Sequence, residues 1–455
     1  MKAIKEVTSR MRGLGNNPAI YWKGTVFSYS DLVGMIDQWT ERLSQLGVGK
    51  GTICAVLGDY SPQTCAVFYA LMETKAIIVP FTREIEKEIP AFAQIAGVQC
   101  MIRFNSDDEF HFEEFTNFQI PALVASFLER EHPGLIVFSS GSTGVPKGIL
   151  QDCEYVMKKF IVNRQGWRTV LFLLMDHFGG FNTLLSTFAY GGMAVCVAQR
   201  TPEAVCHAIE QSSANLLPTT PTFLNFLIAS GVYKNFDLSS IKLITYGTEL
   251  MPDATLKKVR EAFPNAQLKQ TYGLSELGVL RSKSEHDDSV WVQIGGKGFE
   301  TKIVDDILWV RSEANMVGYL NAPSPIDEEG WMCTGDQVEV KGEYMRFLGR
   351  KSEIINVGGK KVFPIEVETV LLEAENICEA SVYGVQHPLL GQVVHARIST
   401  HQPEENSGLK ERLRKFCLEK LAKYKVPMRF IIVSKEEQHS QRFKKMRRND
   451  ESIKG

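Results

Sequence analysis

The residues best suited to chemistry in this chain stand together as Ser139-Ser140-Gly141-Ser142-Thr143-Gly144-Val145-Pro146-Lys147-Gly148, directly after the apolar run Leu135-Ile136-Val137-Phe138. A buried strand that runs into a loop of glycines and hydroxyls predicts backbone N–H groups closing around phosphate oxygens, with Lys147 adding positive charge. The chemistry expected is the holding of a polyphosphate. The spacing departs from the P-loop, because Lys147 lies between Pro146 and Gly148, where that motif needs a glycine before its lysine and a Ser or Thr after it. A P-loop NTPase fold is therefore not expected, and a plain flexible Gly/Ser turn is the competing reading of so short a pattern.

Further clusters follow downstream in a set order: Gln270-Thr271-Tyr272-Gly273-Leu274-Ser275-Glu276, then Gly330-Trp331-Met332-Cys333-Thr334-Gly335-Asp336, then Gly349-Arg350-Lys351-Ser352-Glu353-Ile354-Ile355-Asn356-Val357-Gly358-Gly359. With the loop, they resemble the acyl-adenylate-forming (AMP-binding) superfamily of acyl-CoA and aryl-CoA synthetases, stand-alone adenylation domains and luciferases. The resemblance runs from Asn17-Pro18-Ala19-Ile20 to Arg447-Arg448. It implies an α/β fold with a large N-terminal domain of layered α/β subdomains, residues 1–349, that binds ATP and the acid, and a small mobile α+β C-terminal domain, residues 350–455, that carries the catalytic lysine. It also implies an ATP- and Mg²⁺-dependent acid:thiol ligase, which makes an acyl-AMP from a small carboxylic acid and passes the acyl group to CoA or to the phosphopantetheine of an acyl or peptidyl carrier protein. A stand-alone adenylation enzyme that activates an amino acid or other acid for a carrier protein, and a degenerate nucleotide- or acyl-binding protein without turnover, are the alternatives.

Adenylation needs negative charge neutralised on the triphosphate and on the attacking carboxylate. The resemblance gives Ser139, Ser140, Gly141, Ser142, Thr143, Gly144 and Lys147 to the β- and γ-phosphates, and Thr271, Tyr272, Gly273 and Ser275 to the adenine and the α-phosphate. Glu276 is the expected magnesium ligand, since a carboxylate beside phosphate oxygens suits that ion. Asp336 and Arg350 are expected at the ribose. Gly247, Thr248 and Glu249, following Tyr246, stand where the family lines the adenine and acyl pockets, although Tyr246 and Thr248 are bulky for that wall. His177, in Met175-Asp176-His177-Phe178-Gly179-Gly180, falls near the acyl carboxylate. A shifted alignment places Asp176 where amino-acid-activating members bind an ammonium. The Gly179-Gly180 spacing favours His177 and a substrate without an α-amino group.

The family's catalytic lysine comes from a stretch ending Gly-Lys-x-x-Arg-Arg. Here the chain reads Gln441-Arg442-Phe443-Lys444-Lys445-Met446-Arg447-Arg448, which selects Lys444, with Phe443 in the glycine position and Lys445 as the competitor. Ser352 falls at the hinge, and Gly358 and Gly359 are expected to line a pantetheine tunnel, where absent side chains permit close approach.

These residues need a scaffold, and the rest of the chain predicts one. Apolar, β-branched runs at 52–57, 76–80, 135–138, 170–174, 194–198 and 242–246 alternate with helical periodicities, which argues for α/β layers with largely parallel strands. Ser28 and Asp31 form a capping-box-like pair ahead of a core stripe of Leu32, Met35, Ile36, Trp39 and Leu43. After Gly349, Pro364 suits the first turn of a helix with Val367, Val370 and Leu371 on its buried side. Strands are expected at 380–385, 393–399 and 429–433, with a charged helix over 409–421. The 455 residues carry a formal net charge of −2, which predicts no attraction to nucleic acid or membrane. No metal-ligand spacing occurs among the histidines, so any metal is expected to arrive with the nucleotide. Nine cysteines without a C-x-x-C pair, together with a start that lacks a signal-like apolar stretch, predict a cytoplasmic protein with reduced thiols and no membrane insertion.

Overall fold

The computed structural model describes residues 1–139, 146–197, 199–286, 289–296 and 298–434. Two sheets of mainly parallel strands sandwich a layer of helices. One runs in the order Gln267–Gln270, Leu243–Tyr246, Leu216–Thr219, Arg168–Val170, Met193–Val195, Pro18–Trp22, Thr25–Ser28, and only its last hairpin is antiparallel. The other runs Gly318–Tyr319, Lys147–Asp152, Gly134–Ser139, Ile77–Phe81, Ile53–Leu57, Cys100–Phe104, Phe110–Glu114. Its central strands are parallel, and those at both margins are antiparallel.

Between the sheets lie Tyr29–Gln45, Pro62–Glu73 and Phe178–Ala189. Their apolar faces join Ile20 and Ala194 of one sheet to Val56, Ile78 and Val137 of the other in a single core. The predicted cap is present: Ser28 accepts from the Asp31 amide, and the Asp31 carboxylate accepts from the Ser28 amide at 2.8 Å. Leu32, Ile36, Trp39 and Leu43 of that stripe are buried, and Met35 is half-buried. Trp39 donates its indole N–H to Gln63 at 2.7 Å, and truncating it to alanine would cost about 3–5 kcal/mol. Pro62–Glu73 buries residues on every side, as a helix enclosed between two sheets must.

Two expectations are corrected. The run 170–174 is not a strand: pairing stops at Val170, and the chain turns through 171–177 into the helix Phe178–Ala189. The third large sheet, antiparallel throughout, was not anticipated. Its order is Tyr272–Leu274, Gly278–Ser284, Val292–Gly295, Tyr344–Arg350, Trp331–Lys341, Ile307–Ser312, Phe299–Val304. Strands such as Phe299–Val304 are partly exposed along their length, so they lack the continuous apolar signal that marks a buried parallel strand.

The strand ending at Arg350 leads through a short 3₁₀ turn, Lys351–Glu353, into a separate small sheet centred on Gly391–Thr400. The helices Pro364–Glu373 and Asn406–Lys420 cover it with their own core of Val367, Leu371, Leu409, Leu413 and Cys417, while Val370 is only half-buried. Among the described residues no helix is long and apolar enough to cross a membrane, and no group of His, Cys, Asp or Glu could hold a metal by itself.

Candidate active site

The glycine-serine loop connects two antiparallel strands, Gly134–Ser139 and Lys147–Asp152, whose last pair is Ser139 with Lys147. A helix N-terminus does not follow it, which accords with its departure from the P-loop pattern. Ser140, Gly141, Ser142, Thr143 and Gly144 lie outside the described residues, as do Lys444 and Lys445. Both shoulders of the loop are described. On the far shoulder Asn321 accepts from the Gly148 amide at 3.0 Å and donates to the Pro146 carbonyl at 2.8 Å. This clamp depends on Gly318–Tyr319 pairing beside Lys147–Asp152.

The same pairing sets a chain of polar groups. The Lys147 ammonium lies 4.8 Å from the centre of the Tyr319 ring, and the Tyr319 hydroxyl donates to Glu276 at 2.7 Å. The Glu276 carbonyl accepts from the Met316 amide, and buried Gln151 donates to the Ser275 carbonyl at 2.5 Å. Burial and the neighbouring carboxylate push the Tyr319 hydroxyl far above its usual titration range. It therefore stays a proton donor to Glu276.

Tyr272 begins the hairpin that carries Ser275 and Glu276 in its turn. Its ring stacks on Phe347 with centres 4.7 Å apart, and its hydroxyl donates to Asp336 at 2.6 Å. Asp336 and Arg350 are direct partners across the strands Trp331–Lys341 and Tyr344–Arg350, which brings the Arg350 Nε within 3.5 Å of the carboxylate. Only 13 % of the Asp336 side chain is exposed, against 55 % for Arg350. Desolvation raises the Asp336 pKa, opposed by the Tyr272 hydroxyl and the Arg350 charge.

Tyr246 does not form a pocket wall. It ends the strand Leu243–Tyr246 and is buried within the core of the first sheet. Of the next two residues, Gly247 is buried and Thr248 is exposed. A Cβ on Gly247 would come within 2.5 Å of Thr271 Oγ1 and 2.7 Å of its carbonyl, so glycine is required by close approach. Exposed Thr248 adopts φ of 67°, a left-handed backbone that is an outlier for a β-branched residue. Glu249 accepts from the Thr222 hydroxyl at 2.5 Å and the Thr222 amide at 3.3 Å, which ties it to the first turn of Pro221–Ser230. Gly273 permits the tight hairpin, since a Cβ there would meet the Gly278 carbonyl at 2.8 Å.

His177 is the residue before the helix Phe178–Ala189 and is half-buried. Its position follows from Gly180, where a Cβ would lie 2.0 Å from the Leu174 carbonyl. The adjoining Phe178 ring lies against Gly278, two residues beyond Glu276, so the structure brings the start of this helix to the rest of the site. Asp176 is buried and accepts from the Thr82 hydroxyl at 3.0 Å.

Gly358 and Gly359 are exposed, and both have positive φ, 55° and 80°. They form the two-residue turn between Ile355–Val357 and Lys360–Val362, a geometry that favours glycine without any ligand. The small unit docks on the large one through Asn225, which donates to the Cys378 carbonyl at 2.7 Å, and through Ala254 packed on its core. Beside this contact a cavity of about 270 Å³ is lined by Leu250, Met251, Gln270, Phe347, Ile365 and Thr369, next to the Tyr272–Phe347 stack. Sequence reasoning missed Gln151, Tyr319 and Asn321, whose partners are distant along the chain.

Two parallel-rich sheets around a helical layer, an antiparallel third sheet and a separately cored α+β unit define a two-part α/β enzyme with its polar groups along the inner seam. The chain belongs to the AMP-binding enzyme family: residues 7–320 match that family and residues 366–444 match the AMP-binding enzyme C-terminal domain. It is 24 % identical over 457 aligned residues to 2-succinylbenzoate–CoA ligase of Bacillus subtilis (strain 168), covering 92 % of this chain and 91 % of the relative. It is 27 % identical to 3,4-dihydroxybenzoate–[aryl-carrier protein] ligase of Bacillus anthracis over 65 % of this chain and 68 % of that one. Its fold matches the crystal structure of the anthranilate CoA ligase AuaEII in complex with anthranoyl-AMP, with a TM-score of 0.79, 19 % identity and coverage of 97 % and 96 % of the two chains.

Proposed function

We propose that the protein is an ATP-dependent acid:thiol ligase, which joins a small carboxylic acid to AMP with release of pyrophosphate and then transfers the acyl group to CoA or a carrier-protein thiol. The observation that carries this reading is the convergence of two polar chains on one hairpin, Lys147–Tyr319–Glu276 on one side and Tyr272–Asp336–Arg350 on the other. Their spacing suits a nucleotide laid along the hairpin. Asp336 would accept from the ribose hydroxyls, aided by Arg350. The face of Tyr272 turned away from Phe347 would take the adenine, with Gly247 and Thr248 bounding it, and Glu249 would hold that segment through Thr222. Ser139, the loop 140–144 and Lys147 would grip the β- and γ-phosphates, with Thr271 and Ser275 near the α-phosphate.

Glu276 fits a magnesium ion that accompanies ATP, since it is a half-buried carboxylate whose other contact is a neutral hydroxyl donor. When bound, that ion would supply charge neutralisation for the departing pyrophosphate. His177 would orient the acid, and Lys444 would neutralise the attacking carboxylate and the α-phosphate. The relatives include both a CoA ligase and an aryl-carrier-protein ligase, so both thiols stay in the reading. The domains divide at 349/350, with Ser352 as the pivot, and the reaction takes place in the cytoplasm, where nine free thiols remain reduced.

The test is acid-dependent ATP–pyrophosphate exchange over a panel of aryl, short-chain, fatty and amino acids, followed by thioester formation with CoA or a holo-carrier protein. Lys444→Ala should abolish exchange and leave transfer from supplied acyl-adenylate largely intact. Exchange at the wild-type rate in that variant refutes the lysine assignment, and no exchange with any acid refutes the ligase reading.

A further inference from the structure

The acyl side of the site holds a cation that the reaction above does not use. Lys159 follows the helix Cys153–Lys158, and its ammonium donates to Asn182 Oδ1 on the helix Phe178–Ala189. It lies 5.0 Å from the centre of the Phe160 ring and 5.9 Å from that of Phe178, the residue after His177. Among the described residues no carboxylate pairs with it. Desolvation alone lowers its pKa to about 7. An ammonium held against two aromatic rings with only a neutral amide oxygen pays a desolvation penalty that a native partner would offset.

The surroundings say where that partner would sit. On the helix Phe178–Ala189, residues Phe178, Phe181, Leu184, Leu185 and Phe188 are buried. Gly179, Asn182, Thr183 and Ser186 are half-buried, at the spacing of a single helical face. This polar, small-residue face starts beside His177 and carries Asn182, the residue that steers the Lys159 ammonium. The cation therefore points along the helix face that begins where the acid would be activated.

We propose that Lys159, positioned by Asn182, determines acid specificity and that the acid activated carries a second carboxylate, remote from the reacting one, that pairs with the Lys159 ammonium. The proposal rests on the ligase reading. A carboxylate is favoured over a hydroxyl because it supplies the missing negative charge as well as a hydrogen-bond acceptor.

The experiment measures acid-dependent pyrophosphate release by the full chain with MgATP, using glutarate against monomethyl glutarate, terephthalate against monomethyl terephthalate, and benzoate and hexanoate as monocarboxylates. The free diacid should exceed its monoester by about 10- to 100-fold in kcat/KM, the range of one charged hydrogen bond. Lys159→Met should bring that ratio close to one, mainly through KM for the diacid, and Lys159→Arg should keep most of it. Lys159→Met should also melt no lower than wild type, because it removes an uncompensated charge. Equal turnover of diacid and monoester by the wild type, a preference that survives Lys159→Met, or a Tm drop of several degrees in that variant each overturn the assignment while leaving the ligase reading in place. Failure of every acid, monocarboxylates included, overturns both.

Discussion

Asp336→Asn separates the proposed ribose contact from the cost of maintaining it. The wild-type carboxylate is largely buried and is held by the Tyr272 hydroxyl at 2.6 Å and by Arg350 at 3.5 Å. Asparagine keeps an acceptor for Tyr272 and loses only the pull of an exposed guanidinium, about 0–1 kcal/mol. Toward ATP the loss is larger. A hydrogen bond to a charged group contributes about 1.5–3 kcal/mol and a neutral one about 1, so two ribose hydroxyls give a deficit of about 1–4 kcal/mol. That corresponds to a fall of ~5- to ~1,000-fold in kcat/KM for ATP. Stability should move the other way. Burial raises the native pKa of Asp336 above its unfolded value, so the folded chain binds that proton more tightly. Wild-type stability then falls as pH rises from the ordinary carboxylate range through the raised native value, and the penalty remains in full above it. Asparagine does not titrate, so its advantage grows through that window and is flat above it. Pyrophosphate exchange at varied ATP, with melting curves of nucleotide-free protein between pH 4 and 8, checks both arms. An unchanged kcat/KM for ATP would refute the ribose role, and a lower Tm at pH 7 would refute the account of the buried charge.

Gly247→Ala should cost about 1–3 kcal/mol of stability by overpacking against Thr271, read as a lower denaturation midpoint, and should weaken ATP binding in calorimetry. Tyr319→Phe keeps the ring under Lys147 and removes the donor to Glu276, so kcat/KM for MgATP should drop ~10-fold, about 1.4 kcal/mol, with a changed dependence on magnesium concentration in the exchange assay. At the Gly358-Gly359 turn, Gly359→Asn tolerates the left-handed backbone and adds little bulk, whereas Gly359→Trp adds much. Thioester formation should fall far more in Gly359→Trp than in Gly359→Asn, with exchange retained in both, and equal thioester loss in the two would assign these glycines to the turn alone.

The legible parts of the site were those whose chemistry is local in sequence. Tyr272 and Glu276 share one hairpin, so a short motif recorded them together. Asp336 and Arg350 were legible as a pair because a single β-hairpin register sets them opposite each other. Tyr319, Gln151 and Asn321 were not, since their hydrogen bonds span 43, 124 and 173 positions, and only tertiary pairing of Gly318–Tyr319 beside Lys147–Asp152 makes those contacts. Tyr246 was misplaced for a related reason. A strand's last residue can face the core or the crevice depending on register, and here alternation puts Ile244 and Tyr246 on the core side. Ile53–Leu57 and Ile77–Phe81, each flanked by parallel partners, were visible as continuous apolar runs because both faces are buried. The half-exposed strands of the third sheet carry no such run.

The division of polar groups between the two units bears on mechanism. Val367, Leu371, Leu409 and Leu413 fill a core that belongs almost wholly to the small unit, joined from the large unit by Ala254 at its margin. Docking through Asn225 and the Cys378 carbonyl adds polar contact and leaves the cavity between Phe347 and Ile365 unfilled. A unit with its own core and a loosely filled boundary can change its seat without losing its fold, because the apolar burial that stabilises it stays inside. The polar chain Tyr272–Asp336–Arg350 lies entirely before Lys351–Glu353, and the Gly358-Gly359 turn lies entirely after it. Rotation about that 3₁₀ turn would therefore exchange the face of the small unit presented to the hairpin and leave the proposed nucleotide contacts intact. That geometry is what an enzyme needs if it makes an acyl-adenylate with one face and passes it to a thiol with another.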